Sequence, residues 1–358
     1  MIRKTLYNEK GDSDCGLRIV DCGLKSVKLC LVCREFAIIS SQSLLLRSPE
    51  GIPLGESFCR RHSFGRTTIQ NSITPLLRML RAYAKINLGL LILEKRSDGY
   101  HNIETVFHKI DLFDEIEFSK SSTISVQSSS DAAPGDETNI CYKAARLLQE
   151  YLGVNDGVRI SIMKNIPVGA GLGGGSSDAA TVLRELPKFW NQPVDEETLR
   201  KLALQLGSDV PFFLGNSSAL GKGRGEALEY FDLDVPYSIL LCNPNIHVST
   251  VWAYKNITPN NSPRSKNLKD ILLKGMQKPL QLVHGLRNDF EPIVFHEYPE
   301  VMRVKEAMLR GGAVFASMSG SGSSVHGFFS EADSAAEVSR LLKSRGYKTF
   351  LTRPHFKP

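Results

Sequence analysis

Pro167-Val168-Gly169-Ala170-Gly171-Leu172-Gly173-Gly174-Gly175-Ser176-Ser177-Asp178-Ala179-Ala180 is the stretch on which the reading of the fold turns. Before it, residues 158–164 are rich in β-branched side chains and read as a strand. After it, an alanine-rich segment with helical spacing begins near Ser176 and is expected to stop at Pro187. Glycines between a strand and a helix let the backbone approach a ligand without side-chain obstruction. The free N–H groups of the first helical turn, at the positive end of the helix dipole, then suit an anion. Ser176 and Ser177 add hydroxyls able to bond phosphate oxygens or a magnesium-bound water, and Ala179 and Ala180 keep that turn slim. The plainer reading is a flexible linker, but linkers do not join a β-branched strand to an alanine-rich helix.

Several classes can be set aside. The loop lacks the G-K-[ST] ending of a Walker P-loop. Gly169, Gly171 and Gly174 satisfy G-x-G-x-x-G, but a dinucleotide fold wants an acidic residue closing the next strand, about twenty residues on. Asn191-Gln-Pro-Val-Asp195-Glu-Glu, found there, reads as a turn opening a helix. No G-x-S-x-G elbow marks a serine hydrolase, and the Asp-Phe-Gly and His-Arg-Asp elements of protein kinases are missing.

At 358 residues the chain has room for two domains, and 42% hydrophobic content is ordinary for a globular protein. Residues 27–46, the most apolar early region, are interrupted by Lys28, Arg34 and Glu35 and fall short of a membrane span. The net charge of +6 is concentrated in residues 1–78, which carry 12 Lys/Arg against 7 Asp/Glu. The remainder is close to neutral, so no broad basic field would draw it onto nucleic acid. Cys15, Cys22, Cys30, Cys33 and Cys59 also lie in that early segment, leaving only Cys141 and Cys242 beyond it, a usage that fits a reducing compartment. Cys30 and Cys33 have C-x-x-C spacing but no second ligand pair, so a zinc site is not expected. Residues 1–78 show no convincing helix or strand period and no targeting signal, and are too acidic for a mitochondrial presequence. They read as a disordered extension or an overextended gene start, with a small regulatory appendage as the alternative.

From Ala82 the pattern becomes ordered. Ile86, Leu88, Leu90 and Ile92 alternate as a strand, and Ser97-Asp98-Gly99 supplies a turn. Further strands are expected at 104–110, 114–118, 123–127, 158–164, 237–242, 313–318 and 324–329. Helices are expected at 139–152, 176–186, 195–206, 280–286, 299–310 and 332–344. Ser208-Asp209-Val210-Pro211 reads as a loop after a helix, and the polar residues 256–267 as a domain-joining loop. The mixed order of strands and helices, with a hairpin-rich first part, argues an α+β class.

Other blocks accompany the glycine loop: Ala82-Tyr-Ala-Lys85-Ile-Asn87-Leu, Arg96-Ser-Asp-Gly-Tyr100-His101, Leu206-Gly-Ser-Asp209-Val-Pro-Phe-Phe213, Gly221-Lys-Gly-Arg-Gly-Glu226, Asn288-Asp289 and Met318-Ser-Gly-Ser-Gly322. In this order, over residues 79 to 350, they resemble the GHMP small-molecule kinases. The triple glycine is similar to the branch acting on 4-diphosphocytidyl-2-C-methyl-D-erythritol. Lys95 stands before Arg96 where that branch more often has a second arginine. The resemblance implies a two-domain fold whose cleft lies between an N-terminal ATP-binding domain, residues 79–235, and a C-terminal ferredoxin-like domain, residues 236–358. It implies ATP, with transient Mg²⁺, as the phosphoryl donor. Its acceptor would be a small alcohol linked to cytidine diphosphate, in the non-mevalonate route to isoprenoids. Neither nucleic acid nor membrane is an expected partner, the assembly is expected to be a monomer or homodimer, and the setting cytoplasmic.

Phosphoryl transfer to an alcohol needs cradled phosphates, neutralised charge and a positioned hydroxyl. A carboxylate can take the hydroxyl's proton while an ammonium holds the geometry. The resemblance assigns Asp209 as that base and Lys85 as its partner. Read alone, Asp209 could be a helix cap or a solvated loop acid, and Lys85 could face solvent opposite Ile86. Asn87, two residues on, shares the face of Lys85 and would point into the same cleft. Pro167, Val168, Gly169, Ala170, Gly171, Leu172, Gly173, Gly174, Gly175, Ser176 and Ser177 are the expected ATP contacts, and no standing metal ligands are expected. By resemblance Tyr100 stacks on cytosine, His101 bonds its polar edge and Tyr254 supplies a second aromatic face. Their plainer reading is a hairpin tip with one aromatic packed inward. The Ser319-Gly-Ser-Gly322 turn is either a wall of the cleft or a tight strand connection. Mevalonate or homoserine as acceptor, and a nucleotide-binding homologue without catalysis, are the competing readings.

Overall fold

The computed structural model describes residues 79–259 and 267–358, together with the backbone of four short strands between residues 18 and 45. Those strands, β1 (Arg18–Asp21), β2 (Lys28–Val32), β3 (Glu35–Ser40) and β4 (Ser43–Leu45), pair in sequence order as an antiparallel meander. This departs from the expectation of no strand period in residues 1–78. Short continuous apolar runs such as Phe36-Ala-Ile-Ile39 give no alternation to detect. The expected extension otherwise falls outside the described residues, as does most of the expected joining loop at 256–267.

A second compact unit spans Pro75–Pro358. Its first half contains β5 (Leu80–Lys95), β6 (His101–Ser121), β7 (Ile124–Ser128), α1 (Ile140–Leu152), β8 (Gly157–Met163), α2 (Gly174–Phe189), α3 (Glu196–Leu206), α4 (Val210–Leu214), β9 (Ser218–Gly223) and β10 (Ala227–Phe231). The second half contains β11 (Ser238–Asn243), α5 (Thr250–Asn256), α6 (Leu268–Gly275), α7 (Pro279–Gly285), α8 (Glu291–Glu297), α9 (Pro299–Arg310), β12 (Phe315–Met318), β13 (Val325–Phe329), α10 (Ala332–Ser344) and β14 (Lys348–Thr352).

The long strand β6 organises the first sheet. β5 runs antiparallel along it, while β9 pairs with its first half and β8 with its second. The two strands expected at 104–110 and 114–118 are one strand, with a bulge between them: Phe113 pairs with Tyr83 and Lys109 with Lys85, while the Asp111 amide donates to the Thr352 hydroxyl. Alanine and leucine along α1, α2 and α3 pack on this sheet around Phe107 and Phe212, whose rings lie 5.1 Å apart. Each fully buried leucine, isoleucine or phenylalanine contributes about 1.5–3 kcal/mol. The caps follow the sequence: the Asn139 side chain accepts from the Cys141 amide, and Asp195 accepts from the Thr198 amide. Pro187 does not end α2, which continues to Phe189. Placed in the last turn, the proline removes one backbone donor, and the amides of Trp190 and Gln192 still close the helix on Leu186 and Pro187.

The second sheet is antiparallel with order β12-β13-β11-β14. Numbered by appearance this is 2-3-1-4, with helices between the first and second strands and between the third and fourth, the ferredoxin-like arrangement. One apolar cluster takes Ile86, Leu88 and Leu220 from the first half and Leu241, Phe315 and Phe328 from the second. That shared core holds the two halves in fixed relation, and the functional residues gather along its edge.

Candidate active site

The glycine loop leaves β8 through Lys164 and Asn165 and enters α2 at Gly174. Its entry is fixed from beneath by Asp114 of β6, which is fully buried. Asp114 accepts from the amides of Asn165 (2.6 Å) and Ile166 (2.8 Å) and from the Lys164 ammonium (2.5 Å). Lys164 also donates to Asp178, in the first turn of α2, at 2.7 Å. Burial pushes the Asp178 carboxyl up against the attraction of Lys164. Burial works against the Lys164 charge too, yet Asp178 and Asp114 hold that ammonium above its ordinary value.

The middle of the loop is fastened to both halves. The Lys85 amide donates to the Leu172 carbonyl, and the Ser319 hydroxyl to the Gly171 carbonyl, each at 3.0 Å. Gly171 has φ +77°, and a Cβ there would stand 2.3 Å from the Ser319 carbonyl oxygen. A Cβ at Gly173 would meet the Phe213 ring at 2.8 Å and the Lys85 side chain at 3.2 Å. These two glycines are thus required by the protein's own packing. Around the loop lies a hollow of about 410 Å³, lined by Pro167 through Ser176 and also by Ala133, Pro134 and Thr138. Ser176 faces this hollow. Ser177 does not: it is buried and its hydroxyl donates to the Tyr83 carbonyl at 2.7 Å. Direct phosphate contact by Ser177 is therefore not what the geometry offers, because its place in the helical turn aims it at β5.

Gly171 and Gly173 are shared with a second hollow of about 250 Å³, lined by Lys85, Asn87, Asp209, Arg224, Thr250 and Tyr254 among others. Lys85 is only 4% exposed, so it lies in the cleft and not on a solvent face. Its ammonium stands 3.5 Å from the Asp209 carboxylate and donates to the Asn87 side-chain oxygen at 2.7 Å. Asn87 in turn donates to Thr105 at 2.8 Å, and Thr105 to the Gly89 carbonyl. Lysine, asparagine and carboxylate are thereby held at the mouth between the two hollows. Asp209, expected in a loop, is the residue from which the five-residue α4 starts. Pro211 at the helix start and the packing of Phe212 and Phe213 turn a short apolar run into that helix.

Tyr254 of α5 reaches the wall of the second hollow, stacked on His101 at 5.3 Å and edge-on to Phe290 at 4.9 Å. His101 is buried behind it, and burial lowers its pKa. Tyr100 is 56% exposed, with the Arg224 guanidinium 4.9 Å over its ring. The Ser319–Gly322 turn does form a wall. Gly320 and Ser321 line the hollow, and Ser321 bonds Thr250 at 2.9 Å. Asn288 holds that turn by donating to the Met318 and Gly320 carbonyls, both at 2.8 Å. Asp289 accepts from the Ile92 amide.

The pattern of the GHMP kinases N terminal domain matches residues 139–217, and that of the GHMP kinases C terminal domain matches residues 266–348. A 4-diphosphocytidyl-2-C-methyl-D-erythritol kinase of Chlorobium limicola is 47% identical over 282 residues, 77% of this chain and 97% of the relative. One from Chlorobium phaeobacteroides is 44% identical over 279 residues, with 77% and 97% covered. This chain belongs to the 4-diphosphocytidyl-2-C-methyl-D-erythritol kinases, within the GHMP kinases. A crystal structure of a 4-(cytidine 5′-diphospho)-2C-methyl-D-erythritol kinase superposes with TM-score 0.65 at 34% identity, covering 77% of this chain and 98% of that one. A mevalonate kinase structure, 16% identical with TM-score 0.56, shares the fold. The GHMP fold is thus built here with its cleft between a mixed sheet-and-helix first half and a ferredoxin-like second half.

Sequence reasoning missed several residues of this site. Lys164, Asp114 and Asp178 lie far apart in the chain, and their only signal is charge inside otherwise apolar strands and a slim helix. Arg224 sits in a recognised block but had no assigned role. Thr250, Ala133 and Pro134 belong to segments with no distinguishing pattern.

Proposed function

We propose that this chain transfers the γ-phosphoryl group of ATP to the 2-hydroxyl of 4-diphosphocytidyl-2-C-methyl-D-erythritol, giving the 2-phosphate and ADP in the non-mevalonate route to isoprenoid precursors. One observation carries the reading: Lys85 and Asp209 stand 3.5 Å apart where the glycine-loop hollow opens into a second, aromatic-walled one. The first hollow suits a triphosphate, whose oxygens would meet loop amides and the start of α2. In the second hollow the cytosine would lie against Tyr254, which His101 backs from behind and Phe290 flanks, with Arg224 on the lining and the exposed Tyr100 beside that arginine outside it. The acceptor hydroxyl would then reach Asp209.

Asp209 takes the hydroxyl proton as the acceptor oxygen bonds to the γ-phosphorus, and the bond to the β-phosphate oxygen breaks with its electrons leaving on ADP. Lys85, oriented by Asn87, holds the carboxylate and offsets negative charge as it builds on the transferring group. Mg²⁺ bound with the nucleotide would neutralise phosphate charge. Ser176, the hydroxyl facing the hollow, would hold it through a water. Among the described residues no group of three or more His, Cys, Asp or Glu side chains gathers a metal. We place the enzyme in the cytoplasm, a setting supported by the free, buried thiols of Cys141 and Cys242. Among the described residues no helix is long and apolar enough to cross a membrane.

The test is an ADP-release assay with the cytidyl substrate and with mevalonate. Turnover of the first alone is expected, and turnover of mevalonate alone would overturn the assignment.

A further inference from the structure

Outside the cleft, a cavity of about 640 Å³ lies on the other side of α2 from the glycine loop. Ser177, Thr181 and Arg184, spaced four and three residues apart, form one stripe of α2 facing it, and Arg81 and Tyr83 face it from β5. Lys109 of β6 enters from the floor, buried, and donates to the carbonyls of Gly215 at 2.8 Å and Phe213 at 3.4 Å. Among the described residues no carboxylate lies within ion-pair distance of Lys109. Arg184 also points at the Phe213 carbonyl, at 3.5 Å, and its one carboxylate, Glu185, is shared with Lys188. Arg81 stands 4.4 Å over the Phe113 ring. Asp232, on the cavity wall, is already engaged by Lys357 at 3.1 Å.

We propose that this cavity is a second ligand site, built for a small molecule that carries a phosphate or diphosphate. The plainer role for Lys109 is to cap the trailing carbonyls of α4. Capping needs one cation, whereas here two converge on the same carbonyl and a third lines the same space. Only Lys109 is buried, while Arg184 is partly exposed and Arg81 exposed, so the three bring positive charge to one hollow from its floor and its rim, an arrangement that attracts an anion. Burial, and then the Arg184 charge, push the Lys109 ammonium down to about 8. A phosphoryl group has enough oxygens to take an arginine fork and a lysine at once, which a single carboxylate does not. The volume lies within the ~300–1,000 Å³ of small-molecule sites, leaving room for an organic part against Tyr83, Phe213 and Phe231. Lys109 and Arg184 also hold the end of α4, so this site and Asp209 lie at opposite ends of one short helix.

The experiment is calorimetric titration of inorganic pyrophosphate into the full-length protein already saturated with a non-hydrolysable ATP analogue, so that the glycine loop is occupied. One equivalent should bind. Lys109→Met and Arg184→Gln should each weaken it about tenfold or more, with the affinity for the analogue itself unchanged. Near pH 8 binding should take up a proton, read as a heat that depends on the buffer, because a bound anion restores the Lys109 charge. Arg184 is partly exposed, so its variant serves as the test if Lys109→Met fails to fold. Absence of binding once the analogue is present, or unchanged binding by the folded variants, would overturn the site.

Discussion

Replacing Gly171 by alanine adds one methyl group at the seam between the glycine loop and the second half of the molecule. That carbon would stand 2.3 Å from the Ser319 carbonyl oxygen and 3.2 Å from that of Gly322. A normal carbon–oxygen contact is about 3.3–3.6 Å, so one side must move by roughly 1 Å. The Ser319 turn is poorly able to yield: its amide donates to Ser324, Gly322 donates back to Ser319, and Asn288 holds Met318 and Gly320. The loop would therefore shift. An alanine at φ +77° adds about 1–2 kcal/mol of backbone strain. A 1 Å displacement of a positioned reactant costs on the order of 10²-fold in rate. Steady-state kinetics should accordingly show kcat/KM for ATP falling about a hundredfold, with Tm lower by several degrees. Gly175→Ala is the matched comparison, because its methyl would meet only Ile140, at 3.6 Å, and would improve helix propensity. That variant should keep its Tm, so any activity it loses comes from crowding of the ligand. If Gly171→Ala retains both activity and Tm, the seam is not the close contact described above, and the reason given for that glycine fails.

Asp209→Asn should lower kcat by about 10²–10⁴-fold while ATP affinity stays within a few-fold, measured by ADP release and by nucleotide titration; retained turnover would remove Asp209 from the role of base. Lys164→Met leaves Asp114 and Asp178 buried without their shared cation and should cost about 3–5 kcal/mol in urea unfolding, whereas a surface-sized loss would mean the cluster is not closed. Tyr254→Ala should raise KM for the cytidyl substrate by the ~1–3 kcal/mol of a stacked base and leave KM for ATP alone. Lys109 has a depressed pKa of about 8, so between that value and its ordinary 10.5 the unfolded chain binds a proton that the folded one has released, and stability rises with pH. Wild type should gain about 2 kcal/mol on Lys109→Met between about pH 7 and pH 9.5 in chemical denaturation, and a flat difference would contradict the burial.

The parts of the molecule legible in the sequence were those with a local signature. The helices at 139–152 and 195–206 carry side-chain caps in adjacent residues, that at 332–344 carries its periodicity, and all three observed helices agree to within a residue. The glycine loop announced itself because five small residues between a strand and a helix have few other uses. Lys85 and Asn87 share a strand face by simple alternation, and their hydrogen bond follows from it. Asp114 could not be read this way: its importance comes from three donors reaching it from the far end of another strand. The fusion of two expected strands into β6 also escaped, because Asp111 and Asp114 look like a break. The backbone in fact stays extended through a bulge and regains its pairing at Phe113. Ser177 shows the opposite failure: two adjacent serines look equivalent in sequence, but a helix separates neighbours by about 100° and sends the second toward β5.

The hydrogen bonds that Gly171 and Leu172 accept from Ser319 and Lys85 bear on how the gene could be divided. A fragment ending near residue 235 would carry every glycine of the loop and the helix behind it, yet lack the hydroxyl that orients the Gly171 carbonyl. Its complement would carry that hydroxyl with nothing to receive it. Neither piece expressed alone would grip a triphosphate, and the grip would return only where the two fragments reassembled.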